Sequence, residues 1–223
     1  MAKSIPCIAV DGIDGSGKTT LIQGLMRHFE VALLPRFYGF GMVPIAESER
    51  KQWFLSNPPV ETAKLYLESQ RLRIQLAAVF KQGLHYHFLA PPDKPRLVVL
   101  DRGFWSVEAF TFAALRLDAF LGMDDIVKII SRHLYHGKPG LLRSKRHVDL
   151  SIILVDRHRP YISNVLTRRS NDARERRLIE LQAEFYDTMQ ARPPRTLVLS
   201  PLEEPEWILG QCMAKIGEYH TAD

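Results

Sequence analysis

Cysteine is scarce in this sequence, whose 223 residues include only Cys7 and Cys212. Two thiols near opposite ends of a chain cannot form the disulfide framework of a small secreted domain, and they cannot supply a cysteine-rich zinc site. The eight histidines show no metal-ligand spacing either. The composition therefore excludes a disulfide-stabilised or zinc-dependent domain and favours a protein of a reducing compartment.

Long apolar runs are also missing. No stretch approaches the roughly 18 apolar residues that a membrane-spanning helix needs, and the first residues lack the apolar core of a signal peptide. We therefore expect a cytoplasmic protein that has no membrane partner. No repeat or linker divides the sequence, so we expect one domain over 1–223.

Positive charge is concentrated in one part of the chain. The formal net charge is +5, and residues 141–177 hold ten Lys or Arg against four acids. Such a segment suits a polyanionic ligand. Nucleic-acid binding would require aromatic side chains among the arginines, yet only Tyr161 is aromatic between Arg157 and Arg177. We expect no nucleic-acid partner, and a nucleic-acid-associated P-loop binding protein is the weaker alternative.

Apolar strands alternate with amphipathic helices along the chain. Strands are predicted at 5–10, 31–34, 97–100, 150–155 and 196–199, and helices at 19–30, 45–55, 60–82, 104–121, 123–135, 159–169, 173–190 and 204–217. The core-facing residues predicted for helix 60–82 are Leu65, Leu72, Leu76 and Val79. This alternation predicts a three-layer α/β fold, in which a five-stranded, mostly parallel sheet carries helices on both faces.

The most informative stretch runs from Val10 to Leu21 and reads VDGIDGSGKTTL. It fits the pattern G-x-x-x-x-G-K-[ST] between an apolar strand and an amphipathic helix, which is typical of a phosphate-binding P-loop. Glycines let successive N–H groups surround an anion, and the helix N-terminus adds its dipole. Lys18 would reach the β- and γ-phosphates of ATP, and the Thr19 hydroxyl would bind Mg²⁺. The predicted nucleotide-binding residues are Gly12, Asp14, Gly15, Ser16, Gly17, Lys18, Thr19 and Thr20.

An acid follows the apolar strand Leu97–Leu100 directly. Because ligands of an open α/β sheet lie beyond the carboxyl ends of its strands, Asp101 should face the P-loop and hold Mg²⁺. The next residue is Arg102, where an ATPase motor usually has Glu, and the sequence lacks the Asn-Lys pair that GTPases use for guanine. An acid for the metal beside a cation favours a kinase that phosphorylates a small acceptor.

Taken together, these motifs resemble those of the thymidylate kinase family, in order over nearly the whole chain. The resemblance rests on the P-loop with Asp14, on the helix segment ending at Arg71, and on the Asp-Arg-x-x-x-Ser-x-x-Ala block that starts at Asp101. It implies a P-loop kinase fold with a mobile LID at about 157–177, and a homodimer that converts dTMP to dTDP with ATP and Mg²⁺. Three features depart from the family pattern: the segment 35–39 keeps only Arg36 of the family's Arg-Glu-Pro-Gly-Gly, Leu67 replaces a base-stacking Phe, and Gly103 replaces a Tyr.

The resemblance also implies roles for individual residues. Thr19 and Asp101 would bind the metal. The predicted catalytic residues are Lys18, Asp101, Arg102, Arg168 and Arg169. The predicted acceptor-binding residues are Asp14, Arg36, Leu67, Arg71, Arg102, Ser106, Phe110 and Thr111. The alternative is a kinase of a nucleoside or another small hydroxyl compound, which would need a carboxylate base such as Asp14, Glu68 or Glu108.

Overall fold

The computed structural model describes residues 5–36, 46, 48–49, 52, 56–83, 93–118, 148–156, 172–188 and 195–221, without the side chains of Arg71, Thr188, His220 and Thr221. Apart from the helical residues at 48, 49, 52 and 56, strands and helices alternate along these ranges. In chain order they are β1 Cys7–Gly12, α1 Lys18–His28, β2 Glu30–Leu34, α2 Pro59–Lys81, β3 Arg96–Asp101, α3 Phe104–Asp118, β4 Leu150–Leu154, α4 Ala173–Thr188, β5 Thr196–Leu199 and α5 Pro205–Thr221.

The strands form one sheet in the order β2-β3-β1-β4-β5, and every neighbouring pair is parallel. Their carboxyl ends therefore share one edge, here called the carboxyl rim, and their amino ends share the amino rim. In the register of this sheet Val10 lies opposite Asp101 and Gly12 opposite Leu154. The predicted five-stranded parallel sheet is confirmed, and the P-loop and Asp101 lie on the same rim.

Helices cover both faces of the sheet, as predicted. On one face Ile8 and Val10 of β1 pack with α1 and α5. On the other face Cys7 and Ala9 belong to a cluster that includes Ala77 of α2, while α3 and α4 pack beside it. Because β1 is buried on both faces, its apolar run is continuous rather than alternating. Asp11 points to the same side as Cys7 and Ala9, and it is fully buried.

Several boundaries differ from the predictions for local reasons. β1 begins at Cys7 rather than Ile5, because Pro6 has no N–H to give to the sheet ladder. α1 ends at His28 rather than Glu30, because Glu30 is already the first residue of β2, where it lies opposite Arg96 of β3. The helices predicted at 123–135 and 159–169 lie outside the described residues, as do most of the predicted helix 45–55 and residues 157–171 of the predicted LID.

The prediction for the buried face of α2 was right only in part. Leu65 and Leu76 are partly buried and pack against core clusters, whereas Leu72 is only partly buried and Val79 is 40% exposed. The residues of α2 that are buried instead are Thr62, Ala63, Tyr66, Leu67, Ser69, Gln70, Arg73, Ile74 and Ala77. Periodicity alone placed the leucines inward, but the polar residues of this helix have partners at the strand ends that the sequence could not show.

Arg73 is the centre of that polar face, and its side chain is fully buried. Its guanidinium donates to Oε1 of Gln70 at 2.7 Å, to the carbonyl oxygen of Asp101 at 2.7 Å and to that of Leu34 at 3.3 Å. Carbonyl groups at the ends of buried strands need such partners, since an unpaired buried polar group is costly. Arg73 thereby connects α2 to the carboxyl ends of β2 and β3.

The amino rim has its own ion pair, which offers a test of stability. Asp149 accepts a hydrogen bond from the backbone N–H of Cys7 at 2.8 Å and pairs with Lys81 at 2.7 Å. We expect Asp149→Asn to lower the free energy of unfolding by about 2 kcal/mol, because the mostly buried Lys81 loses its counter-charge. For a chain of this size that lowers Tm by roughly 4–8 °C, which calorimetry would measure.

The same substitution should leave kinetic parameters unchanged, because Asp149 lies on the rim opposite the P-loop. A double-mutant cycle with Lys81→Met separates the pair from other effects of the substitution. If Asp149→Asn costs the same stability in both backgrounds, the ion pair does not contribute as proposed.

Two further predictions concern cysteine and membranes. Cys7 and Cys212 are free and buried in β1 and α5, and burial raises the pKa of Cys212 to about 12. Neither thiol is therefore placed for reactivity at neutral pH. Among the described helices, none is both long enough and apolar enough to cross a membrane.

Candidate active site

The P-loop joins β1 to α1 and curls back over the end of the sheet. Gly12 has φ of 140°, and a Cβ atom there would lie 2.3 Å from the carbonyl oxygen of Leu154. Only glycine fits such a position. The loop therefore starts in close contact with β4, at the carboxyl rim of the sheet.

Lys18 begins α1 and turns back over the loop. Its Nζ donates to the carbonyl oxygens of Gly12, at 3.0 Å, and Ile13, and to the hydroxyl of Ser16 at 3.2 Å. Burial, and then the charge of Arg102, lowers the pKa of Lys18. The three oxygens oppose that by stabilising the ammonium group. Lys18 thus lies at the centre of the loop that was predicted to hold the phosphates.

Arg102 follows β3 and forms an ion pair with Asp14 of the P-loop. Arg102 is 3% exposed, and its φ of 67° lies in the left-handed region. Burial alone would raise the pKa of Asp14, but the charges of Arg102, Lys18 and Arg36 hold it well below its usual range. The predicted acceptor residues Asp14 and Arg102 are thus in direct contact.

A second arginine joins this group from the end of β2. The charge of Arg36 acts on both Asp14 and Lys18. It also acts on Tyr66 of α2, together with the charges of Arg102 and Arg73, against the effect of burial on the pKa of that phenol. The charges of Lys18, Arg36 and Arg102 therefore all act on Asp14 of the P-loop, and a region with such an excess of positive charge suits an anion.

Metal binding can be judged from the oxygen donors at the rim. Thr19 is exposed in the first turn of α1, and Asp101 is partly exposed at the end of β3. The charge of Asp101 acts on both Lys18 and Arg102. In the described part of the chain no three His, Cys, Asp or Glu side chains cluster as a metal site. Mg²⁺ bound with phosphates needs only one or two protein oxygens, so these two residues fit it.

The remaining predicted acceptor residues are buried along α2 and α3. Leu67 and Phe110 belong to one apolar cluster, and the rings of Tyr66 and Phe110 meet edge to face at 5.7 Å. The hydroxyl of Thr111 is buried and has no hydrogen-bond partner among the described residues. The hydroxyl of Ser106 accepts a hydrogen bond from the backbone N–H of Gly12 at 3.2 Å.

Three predicted residues receive no test from the structure. The side chain of Arg71 is outside the described part, and so are Arg168 and Arg169. The described end of the predicted LID begins α4, where Arg174 pairs with Asp118 at 3.2 Å. The roles assigned to Arg71, Arg168 and Arg169 therefore remain predictions.

A cavity of about 160 Å³ opens beside the P-loop on the side of α5. This is room for a small organic group rather than for one water molecule. Its walls include Ser16, Gly17 and Thr20 of the P-loop region, Arg27 of α1, and residues 201–209 after β5. Sequence reasoning missed this wall, because residues 201–209 carry no motif and approach the P-loop only through the sheet order.

Sequence reasoning also missed Asp11 and Arg73 as parts of this region. Asp11 could have been found, since an acid two residues after Ala9 must point to the same buried face of β1. Tyr66, Gln70 and Arg73 recur at helical spacing and so share one face of α2. Their polarity argued against burial, and the partner carbonyls of Arg73 come from distant strands.

This sheet order, with a P-loop after the central strand, defines the fold of the P-loop kinases. Three solved structures share it. Thymidylate kinase from Candida albicans has a TM-score of 0.64 and 16% identity, over 99% of this chain and 95% of its own. Deoxyadenosine kinase from M. mycoides with bound dATP has a TM-score of 0.58 and 14% identity, over 94% of this chain and 98% of its own.

The third structure is deoxyadenosine kinase from M. mycoides with bound dCTP, which has a TM-score of 0.53 and 15% identity. It covers 95% of this chain and 99% of its own. No protein-family model and no curated protein matches the sequence. At these identities the likeness shows the fold, and the chemistry must be argued from the side chains of this chain.

Proposed function

We propose that this protein transfers the γ-phosphoryl group of ATP to a (deoxy)nucleoside monophosphate, with dTMP as the first candidate. The observation that carries the proposal is the ion pair between Arg102 and Asp14 of the P-loop, a carboxylate on which the charges of Lys18 and Arg36 also act. The loop and Lys18 suit the phosphates of a donor. The two arginines suit a second, separate phosphate on the acceptor.

The charges also favour a monophosphate over a nucleoside as acceptor. A nucleoside hydroxyl needs a general base, whereas a phosphate oxygen is already ionised at neutral pH. Asp14, the candidate base in contact with Arg102, has its pKa held well below the usual range, so it is a weak base. Of the other two candidates, Glu68 is exposed and Glu108 is buried in α3.

Positioning and charge account for the chemistry that the side chains would perform. Phosphoryl transfer spreads negative charge over the transferring group, so fixed cations stabilise its transition state. Lys18 would hold the donor phosphates and Arg102 the acceptor phosphate. Thr19 and Asp101 would hold Mg²⁺, which neutralises phosphate charge when bound. The arginines of the predicted LID would complete the closure and exclude water.

The cavity between the P-loop and residues 201–209 would hold the base of the donor nucleotide. It begins at Ser16 and Gly17, where a bound phosphate chain would end, and it is walled by apolar side chains such as Leu209. Most ligand pockets have such apolar walls with a few polar groups. Arg27, Glu203 and Glu206 supply the polar groups here.

An ATP-coupled screen of all common nucleoside monophosphates and deoxynucleoside monophosphates, with thymidine and deoxyadenosine in parallel, tests the proposal. We expect turnover with at least one monophosphate and none with the nucleosides, and product analysis would show the diphosphate. Turnover with nucleosides alone would replace the proposal by the nucleoside-kinase alternative. ATP hydrolysis that no acceptor stimulates would reject both.

A further inference from the structure

A second carboxylate lies beneath the P-loop, where the proposed chemistry has not used it. Asp11 is fully buried at the end of β1. Its Oδ1 accepts a hydrogen bond from the backbone N–H of Ser106 at 2.8 Å, in the first turn of α3. The hydroxyl of Ser106 accepts in turn from the backbone N–H of Gly12 at 3.2 Å. Two hydrogen bonds therefore join the start of the P-loop to the start of α3.

The contact between these segments is as close as glycine allows. A Cβ atom at Gly103 would lie 2.4 Å from Cβ of Ala9 and 2.8 Å from Oδ2 of Asp11. Burial raises the pKa of Asp11. The backbone N–H and the hydroxyl of Ser106, and the backbone N–H of Gly103, act to lower that pKa. Oδ2 of Asp11 has no hydrogen-bond partner among the described residues. The space that a side chain would need at position 103, where the thymidylate kinase pattern has Tyr, is thus taken by the side chains of Ala9 and Asp11.

Arg102 lies immediately before this clamped turn. Its backbone N–H donates to the carbonyl oxygen of Val10 at 3.0 Å. Its left-handed φ of 67° is unfavourable for a residue with a side chain and persists only where the surroundings enforce it. Val10 fixes the chain on one side of Arg102, and Asp11 fixes it on the other.

We propose that Asp11 is a positioning residue, which holds the backbone of Arg102 in the conformation that directs its guanidinium toward Asp14 and the acceptor. Asp11 itself touches no substrate in this role and acts through Arg102. The role rests on the proposed function, because the acceptor phosphate is what Arg102 is held to meet. We expect a larger effect on the acceptor than on the donor, since Lys18, which would meet the donor, is held by its own contacts with loop oxygens.

The test is Asp11→Asn, which keeps the side chain's size and removes its charge. One carboxylate oxygen becomes an NH₂ group, and the backbone N–H of Ser106 then donates to a neutral amide oxygen instead of a carboxylate. We expect KM for the acceptor found in the screen to rise about tenfold and kcat to fall about tenfold. KM for ATP should change less than threefold. Asp149→Asn is the matched control, because that carboxylate also accepts a backbone N–H but lies on the amino rim.

A double-mutant cycle decides whether Asp11 acts through Arg102. In an Arg102→Ala background, Asp11→Asn should change the acceptor KM less than twofold. An equal effect in both backgrounds would overturn the positioning role. The role would also be overturned if the loss of activity in Asp11→Asn were fully explained by a smaller folded fraction, which is the only kind of loss expected for Asp149→Asn. If Asp11→Asn does not fold, Asp11→Ser takes its place, since its side chain is smaller and uncharged and lacks the oxygen that accepts the N–H of Ser106.

The proposed function and the positioning role can fail separately. If the wild type phosphorylates no monophosphate, the proposed function is rejected and the role of Asp11 falls with it. If the wild type phosphorylates a monophosphate and Asp11→Asn leaves the acceptor KM and kcat unchanged, only the positioning role is rejected. Calorimetric titration of the wild type and Asp11→Asn with the same monophosphate gives a second readout, which does not depend on turnover.

Discussion

We expect Lys18→Ala to lower kcat by at least about 1000-fold, which corresponds to ~4 kcal/mol of lost transition-state stabilisation. Lys18 is the charged group at the centre of the P-loop, and its ammonium lies within hydrogen-bond reach of three loop oxygens. Without it, the charge that develops during phosphoryl transfer would have no fixed cation from the loop. Steady-state kinetics at saturating ATP and acceptor would measure the loss.

Lys81→Ala is the control for this substitution, because Lys81 is also a largely buried lysine but lies on the amino rim with Asp149. It should lower Tm and leave kcat within about twofold of the wild type. If Lys18→Ala retains normal phosphoryl transfer while folded, the P-loop does not hold the donor and the proposed mechanism is wrong.

Arg102→Ala should act on the acceptor rather than on the donor. We expect kcat/KM for the acceptor to fall by about 100- to 1000-fold, as for other single groups that stabilise transition-state charge. KM for ATP should change less than threefold. Arg102→Lys should restore little, since a lysine lacks the planar fork that binds a phosphate through two nitrogens. Initial-rate kinetics with each substrate varied in turn would separate these effects.

The ion pair with Asp14 gives Arg102→Ala a second readout that is independent of activity. Because the pKa of Asp14 is lowered in the folded state, the pair stabilises the fold above the unfolded value of about 4. That stabilisation is lost as the pH falls from about 4 through the lowered pKa. The variant should therefore show a weaker dependence of Tm on pH in this acidic range. An unchanged dependence would mean that Arg102 does not set the pKa of Asp14.

The sequence predicted the parts of this protein that local chemistry determines. Gly12 and Lys18 belong to a pattern whose geometry is carried within a few residues, so the P-loop was found from its spacing. Asp101 was placed beside it by one general property of parallel sheets, that strands end at a common rim. Both predictions depend on short-range rules, and the register of β1 with β3 agrees with them.

The sequence did not predict contacts that depend on elements far apart in the chain. The inward face of α2 was misjudged because apolar periodicity favoured Leu72 and Val79, whereas Tyr66 and Arg73 are the buried residues. The partners that make a buried guanidinium acceptable are carbonyl groups of β2 and β3, which no pattern within α2 reveals. The meeting of Asp11 with α3 was missed for the same reason.

The hydrogen bonds of the Arg73 guanidinium affect how substitutions along this chain would be interpreted. One guanidinium serves oxygens from two strands and from its own helix, and a lysine could not match that planar set. A saturation scan scored by catalytic output would therefore find position 73 as intolerant as the P-loop. In such a scan, sensitivity to replacement would identify scaffold and substrate contacts alike, and only the structure separates them.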